Sequence, residues 1–137
     1  MPLKKRKKSV KRKSLSWYRK TLWKWFALYI KLRDGYTCFT CGKKVSGRDA
    51  SAGHFIPKRA GGIELWFHTK NVHCQCSFCN NSLQGNQYVY GIKLGKKVVQ
   101  ELFDIFNKRV SGANWSIEQY TKYIEHYKKM VLEMQNP

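Results

Sequence analysis

Five cysteines are the residues whose spacing points most directly to chemistry. They form the patterns Cys38-x-x-Cys41 and, further along the chain, Cys74-x-Cys76-x-x-Cys79. A C-x-x-C turn aims two sulfurs at one ion, so two such turns satisfy tetrahedral Zn²⁺. An odd number of cysteines in this arrangement favours metal ligation in a reducing compartment over a secreted disulfide framework. An iron–sulfur cluster and free thiols are the alternatives.

The expected zinc ligands are Cys38, Cys41, Cys76 and Cys79, and Cys74 is expected to be a spare thiol beside the site. Because four protein ligands leave no open coordination position, this zinc should stabilise the fold rather than take part in a reaction. Reacting groups must therefore stand elsewhere in the chain.

His54 is the candidate reacting group, in the stretch Ala52-Gly53-His54-Phe55 between the two cysteine pairs. A near-neutral imidazole can accept a proton at physiological pH. The alternative is a core histidine packed beside Phe55. His73, next to Cys74, is expected to pack in the core or to support the zinc thiolates, with catalysis as the less favoured alternative.

The charge of the chain indicates a polyanionic partner. Its 137 residues include 27 Lys and Arg against 8 Asp and Glu, a formal net charge of +19. This excess is larger than solubility requires and favours nucleic acid as the partner. A membrane is disfavoured because no run of about 18 apolar residues and no signal-peptide pattern is present. We expect a soluble, intracellular protein.

The elements that must position these residues are helices around a short sheet. Apolar residues at helical spacing predict a first helix over 16–34, with Gly35 as its stop: Tyr18, Leu22, Phe26, Tyr29 and Ile30. Its aromatic residues are expected in the core, with base stacking as the alternative. Glycines and Pro57 over 36–62 predict a hairpin with irregular loops, and a helix is expected over 79–83.

The C-terminal third predicts two further helices. An apolar face over 96–110 indicates one helix, ended by Gly112. Ser116 with Gln119 resembles a capping box that begins the last helix. The apolar face of that helix is expected either to form a homodimer surface or to pack within the chain.

These observations predict an α+β fold in a single domain over 14–137, preceded by a basic disordered arm over 1–13. The zinc-bound core is expected over about 36–86 and a helical part over about 87–135. The arm is expected to grip nucleic acid, with a solvated tail or a targeting signal as the alternatives.

The layout between the cysteine pairs resembles an HNH, or ββα-metal, nuclease: a histidine, then an asparagine before the second pair, and a polar residue after the last cysteine. More narrowly, the sequence resembles the NinG/Rap recombination family of lambda-like phages. The resemblance covers roughly residues 16 to 130 and is carried by SWYRK, LRDGYTCFTCG, AGHF, LWFHTKNVHCQCSFCN, Gly85-Asn86 and the W-x-I-E stretch from Trp115 to Glu118.

The resemblance implies a DNA endonuclease that cleaves Holliday junctions or D-loops with Mg²⁺ or Mn²⁺, in the cytoplasm of a bacterial host if the chain is phage-encoded. It implies a zinc-stabilised HNH core with His54 as general base and Asn71 holding the ring or loop of that histidine. Asn80 would offer its carbonyl oxygen to the catalytic cation. The plainer alternatives are a turn at Asn71 and a helix cap at Asn80.

Gly53 complicates the ligand set of that cation. Many HNH enzymes carry Asp before the histidine, although the NinG-like pattern itself has Gly-His. Asp49 and Glu64 are the two carboxylates between the cysteine pairs, and we expect Asp49 before Glu64 as a cation ligand. Gln84, one helical turn after Asn80, could present a second neutral oxygen.

Six cations of the zinc-bound region are expected to neutralise DNA phosphates: Lys43, Lys44, Arg48, Lys58, Arg59 and Lys70. Their binding should be salt-dependent and largely independent of sequence. Two other functions are considered beside the branched-DNA nuclease. One is a catalytically silent, zinc-containing DNA-binding module, and the other is a sequence-specific HNH nuclease of the homing or restriction type.

Overall fold

The computed structural model describes residues 12–136. Five helices and two strands follow in the order α1 (Leu15–Arg33), β1 (Ala50–His54), α2 (Lys58–Trp66), β2 (Val72–Cys76), α3 (Gln87–Leu94), α4 (Lys96–Lys108) and α5 (Ile117–Gln135). A 3₁₀ turn at Gly47–Asp49 precedes β1, and a π-helical turn at Phe78–Ser82 follows β2. The α+β class is confirmed. The arm predicted over 1–13 lies almost entirely outside the described residues.

Helix α1 forms where its periodicity predicts. Ser14 caps it by accepting a hydrogen bond from the Trp17 N–H at 3.2 Å. Leu22, Phe26 and Ile30 are buried on one face of the helix. They pack with α5, whose inward residues are Tyr120, Tyr127 and Val131.

Helix α5 begins at the predicted capping box. The Ser116 hydroxyl accepts from the Gln119 N–H, and the Gln119 side chain accepts from the Ser116 N–H. The apolar face of α5 packs against α1 within the chain, and a homodimer stays a prediction. None of the described helices is both long enough and apolar enough to cross a membrane.

The sheet corrects the expected hairpin. Strand β1 pairs antiparallel with β2, from Ala50 opposite Cys76 to His54 opposite Val72. Within 36–62 the predicted hairpin is limited to an antiparallel bridge between Thr37 and Lys44. Strand β1 instead pairs with β2, and helix α2 stands between these two strands. Gly62 kinks α2 with a φ of 76°, a conformation that glycine adopts without steric cost.

Helix α3 was not predicted, whereas α4 was. The helix expected over 79–83 is the π-helical turn at Phe78–Ser82, and α4 ends at Lys108, four residues before Gly112. Tyr90 of α3 and Leu102 of α4 are buried with residues that follow β1 and with Leu65 of α2. This packing holds the C-terminal helices against the end of β1 that carries His54.

Candidate functional site

The four predicted zinc ligands lie together. The sulfur atoms of Cys38, Cys41, Cys76 and Cys79 all lie within 4.8 Å of one another. The Cys79 N–H donates to Cys76 Sγ at 3.4 Å, and Asn86 Nδ2 donates to Cys79 Sγ at 3.7 Å. Four sulfurs at this spacing, with N–H donors toward them, are a donor set that could hold a tetrahedral zinc ion.

Cys74 and His73 stand outside that cluster. The Cys74 thiol is buried and is not part of the four-sulfur group, as predicted. His73 stacks on Phe39 with ring centroids 4.0 Å apart, and its Nδ1 lies 3.1 Å from the Tyr90 hydroxyl. These contacts of His73 are the ones expected of a packing role.

A cleft of about 520 Å³ lies between α1, strand β1, the start of α2 and the segment after Cys79. It brings His54 and Asn80 together, with Lys58 and Gln84 beside them. Its remaining lining residues are Trp23, Ala27, Lys31, Ala50, Ser51, Ala52, Pro57, Gly85 and Gln87. The cleft is open to solvent and adjoins the turn that carries Cys79.

The His54 ring is held in one tautomer. Its Nε2 lies 2.9 Å from the Trp66 carbonyl oxygen, which can only accept a hydrogen bond. Nε2 therefore carries the proton, and Nδ1 keeps its lone pair. The ring also stacks on Trp23, with centroids 5.3 Å apart and planes 17° apart.

Burial keeps this imidazole neutral. Desolvation lowers the pKa of His54 from 6.5 to about 4, and the charge of Lys58 acts in the same direction. The hydrogen bond to the Trp66 carbonyl opposes this shift. At pH 7 the ring is therefore uncharged and keeps its lone pair at Nδ1, and the same lowered pKa makes it a weaker base than a free imidazole.

Asn71 holds the loop after His54, and none of its side-chain hydrogen bonds goes to the ring. Its Oδ1 accepts from the Ile56 N–H at 2.8 Å, and its Nδ2 donates to the carbonyls of Ile56 and Leu65 at 3.0 and 2.9 Å. The side chain is fully buried. Asn71 thus joins the chain after β1 to the end of α2, where Trp66 holds the ring.

Gln75 explains the glycine before His54. The Gln75 amide is fully buried, and its Nε2 donates to Thr40 Oγ1 at 3.1 Å and to the Gly85 carbonyl at 2.8 Å. These two acceptors turn Oε1 toward Gly53, where it has no donor among the described residues. A Cβ on Gly53 would overlap Oε1 and would lie 3.0 Å from Asn80 Oδ1. An aspartate at position 53 would therefore require the Gln75 amide to move away from its two acceptors.

Neither expected carboxylate lines the cleft. Asp49 accepts from the Ser77 N–H at 2.9 Å and pairs with Lys43 at 3.1 Å, and both contacts lower the pKa of that carboxyl. Glu64 lines a separate groove between α2 and α4. The residues that line the cleft, all within the described range, include no acid. Neutral oxygens of Asn80 and Gln84 remain beside His54.

The six expected DNA-binding cations are all exposed but do not share one surface. Lys58 lines the cleft. Lys44 donates to Thr37 Oγ1 at 2.8 Å near the zinc ligands, where Lys43 and Arg48 also stand. Lys70 pairs with Glu101 of α4 at 2.7 Å. Arg59 lies on α2.

Comparison with known proteins settles the family. A family model described as Bacteriophage Lambda NinG protein matches residues 2–136. The chain belongs to the NinG family. It is 28% identical to Protein ninG of Escherichia phage lambda over 109 residues, which are 79% of this chain and 52% of that protein.

Two further NinG proteins give similar matches. Protein ninG of Escherichia phage 933W is 28% identical over 109 residues, 79% of this chain and 53% of that protein. Protein ninG of Enterobacteria phage H19B is 30% identical over 92 residues, 66% of this chain and 45% of that protein. This NinG-family chain thus spans about half the length of the curated relatives it matches. No solved structure matches it.

Several residues that shape the cleft of this NinG-family chain were not expected there. Trp23 and Lys31 line it from α1. The Trp66 carbonyl and Gln75 do not line it, but the first binds the His54 ring and the second packs against Gly53. The sequence does carry one signal for α1. Trp23, Ala27 and Lys31 repeat every fourth residue, directly beside the buried face of the helix. A backbone carbonyl and a buried amide leave no comparable signal.

Proposed function

We propose that this NinG-family chain is a metal-dependent endonuclease of the HNH type that hydrolyses phosphodiester bonds in branched recombination intermediates. One observation carries the proposal: His54 and Asn80 line the same cleft, and the Trp66 carbonyl leaves the neutral His54 with a free lone pair at Nδ1. Such a substrate would place the reaction in the cytoplasm of the bacterial host.

His54 acts as the general base. Nδ1 accepts a proton from a water molecule as that water attacks phosphorus, while Nε2 stays bonded to the Trp66 carbonyl. Stacking on Trp23 and the Asn71 hydrogen bonds restrict the ring and its loop, so the base need not reorganise during the reaction.

Asn80 is the residue that would hold the catalytic cation, through Oδ1. Mg²⁺ prefers oxygen ligands and retains several waters, so one amide oxygen with water and substrate phosphate is a suitable set, and Gln84 can add a second oxygen. When bound, Mg²⁺ or Mn²⁺ supplies charge stabilisation at the scissile phosphate and the leaving oxygen. Asp49 is already paired with Lys43, which makes it a weaker candidate than it was from sequence.

Lys31 and Lys58 hold the DNA backbone at the cleft. They line the cleft from α1 and from the start of α2, and no acid lines it among the described residues. Contacts of this kind neutralise phosphates without reading bases. The preference for branched DNA rests on the family resemblance of the sequence.

The purified chain should be incubated with a labelled four-way junction, a D-loop and a linear duplex, each with Mg²⁺, with Mn²⁺ and with EDTA. We expect cleavage of the branched substrates in either metal and none in EDTA. Cleavage of the linear duplex at one defined sequence would instead identify a sequence-specific HNH nuclease.

A catalytically silent DNA-binding module is the second candidate. The observation that favours it is the absence of an acid among the described residues lining the cleft, because a divalent cation gains affinity from negative ligands. Tight junction binding without cleavage in either metal, by a protein that retains zinc, would establish the module and exclude the nuclease.

A further inference from the structure

A continuous series of rings and cations leads from the surface of α1 to His54. The Arg19 guanidinium lies 5.1 Å from the centre of the Trp66 ring, and Lys58 Nζ lies 5.2 Å from the same ring. Lys58 Nζ also lies 6.0 Å from the centre of Trp23, which stacks on His54. We call Arg19, Trp66, Lys58, Trp23 and His54 the ring–cation series.

The cleft end of this series is accessible and positively charged. Trp23 lines the cleft and is only half-buried, and Lys58 is exposed. Helix α1 carries no acid over its whole length, whereas cations recur along it: Arg19, Lys20, Lys24, Lys31 and Arg33. The charge beside Trp23 is therefore not neutralised by α1 itself and complements a phosphate backbone.

We propose that Trp23 is a stacking site for an unpaired DNA base, with Lys58 and Arg19 contacting the flanking phosphates. One face of Trp23 rests on His54, and Lys58 lies over the ring near the outer limit of a cation–π contact. A base can displace the flexible Lys58 side chain, which then reaches the adjacent phosphate. Aromatic rings flanked by cations bind single strands in this way because every base has a π face.

This inference rests on the proposed function and deepens it. Bases in a continuous duplex are stacked on their neighbours, whereas a branch point supplies bases that are free or easily unstacked. A base held on Trp23 would bring its phosphate to the cleft that contains His54 and Asn80. The branched substrate would then be selected by its unpaired base as well as by its charge.

The ring–cation series also has a purely structural interpretation. Cation–π pairs stabilise protein surfaces by themselves, and both tryptophans pack in part against the cluster between α1 and α5. The two interpretations differ in one respect. A structural series gives DNA affinity that depends on phosphates alone, whereas a stacking site requires the base.

The test compares two oligonucleotides of equal length and charge, an oligothymidylate and the same backbone with abasic residues. Binding to the full, zinc-containing chain is measured by fluorescence anisotropy in buffer without Mg²⁺ or Mn²⁺ and without a chelator, so that no metal-dependent cleavage occurs and zinc is retained. We expect wild type to bind the thymidylate about tenfold or more tighter than the abasic strand. Equal affinity for the two strands would overturn the proposal.

The variants separate stacking from charge. W23L should abolish the preference for bases, and W23F should retain most of it, which a packing defect would not allow. W17A is the matched control, because Trp17 is 42% exposed and lies under Lys13, outside the series. Loss of the preference in W17A, or its persistence in folded W23L, would contradict the assignment.

Lys58→Met keeps the aliphatic part of the side chain but removes its charge. It should weaken the binding of both oligonucleotides equally and lower the salt slope of binding by about one. A preference for bases without any cleavage would support the stacking site and contradict the nuclease proposal. Cleavage of branched DNA without a preference for bases would contradict the stacking site alone.

Discussion

Gln75 limits which residues can precede His54. Its amide is held by Thr40 and by the Gly85 carbonyl, so Oε1 fills the space that a side chain at position 53 would need. From sequence, Gly53 looked like a missing cation ligand. In the structure a side chain at position 53 would displace the Gln75 amide of β2 from its hydrogen bonds. No pattern within the AGHF stretch indicates this, because the constraint comes from a residue 22 positions later.

We expect Gly53→Ala to lower the free energy of unfolding by about 1–3 kcal/mol, because the added Cβ overlaps a pinned amide. Gln75→Gly should relieve part of this cost, so that the double variant is less destabilised than the sum of the single ones by roughly 0.5–3 kcal/mol. Urea denaturation of the four proteins measures this coupling.

Gly91→Ala is the matched control. A Cβ there would meet the Phe55 ring at 3.4 Å, an ordinary contact, inside helix α3. Stability should hold or rise by about 0.5–1 kcal/mol, as for alanine in a helix interior. If Gly53→Ala proves as harmless as Gly91→Ala, the steric explanation of Gly53 is wrong.

At the scale of elements, α1 shows what periodicity can and cannot predict. Leu22, Phe26 and Ile30 form the buried face that the sequence indicates. Trp23 and Lys31 lie on the adjoining face, and only the approach of β1 to α1 makes that face a cleft wall. The placement of the helix against the sheet is a tertiary fact that helical spacing does not contain.

Helix α2 was missed because its glycines resemble loop signals. Gly61 is buried, and a Cβ there would lie 2.8 Å from the Leu65 Cβ and 3.2 Å from Ile56. Gly62 provides the kink. One glycine thus serves close packing and the other a positive φ, both within a helical segment, and sequence alone does not separate these roles from a flexible loop.

Zinc should stabilise the elements that build the cleft. Cys76 ends β2, and Cys79 stands in the π-helical turn directly before Asn80. We expect about one zinc ion per chain in wild type, and Cys76→Ser should lose the ion together with cooperative thermal unfolding. Zinc content by elemental analysis and melting by circular dichroism measure the two effects.

Cys74→Ala is the control for that substitution, because the Cys74 thiol is equally buried but lies outside the four-sulfur group. It should retain zinc, with a modest loss of stability from the changed packing. Full zinc content in Cys76→Ser would contradict the assigned ligand set.

For the whole molecule, the α+β class could be predicted from periodicity, and the four-cysteine cluster could be predicted because each C-x-x-C pair is a recognisable local pattern. The composition of the cleft could not, since it joins α1, β1 and the segment after Cys79. His54 and Asn80 were placed by the resemblance, and the structure brings both to one cleft. The sequence favours Asp49 and Glu64 as cation ligands because they are the acids between the two cysteine pairs. Position along the chain does not determine which surface a carboxylate faces.

The single-turnover rate of junction cleavage by wild type and His54→Ala tests the central claim most directly. His126→Ala is the control, since His126 is exposed on α5 away from the cleft. We expect His54→Ala to bind the junction as wild type does but to cleave it about 100-fold or more slowly, with His126→Ala unchanged. Cleavage at the wild-type rate by folded, zinc-containing His54→Ala would contradict the account.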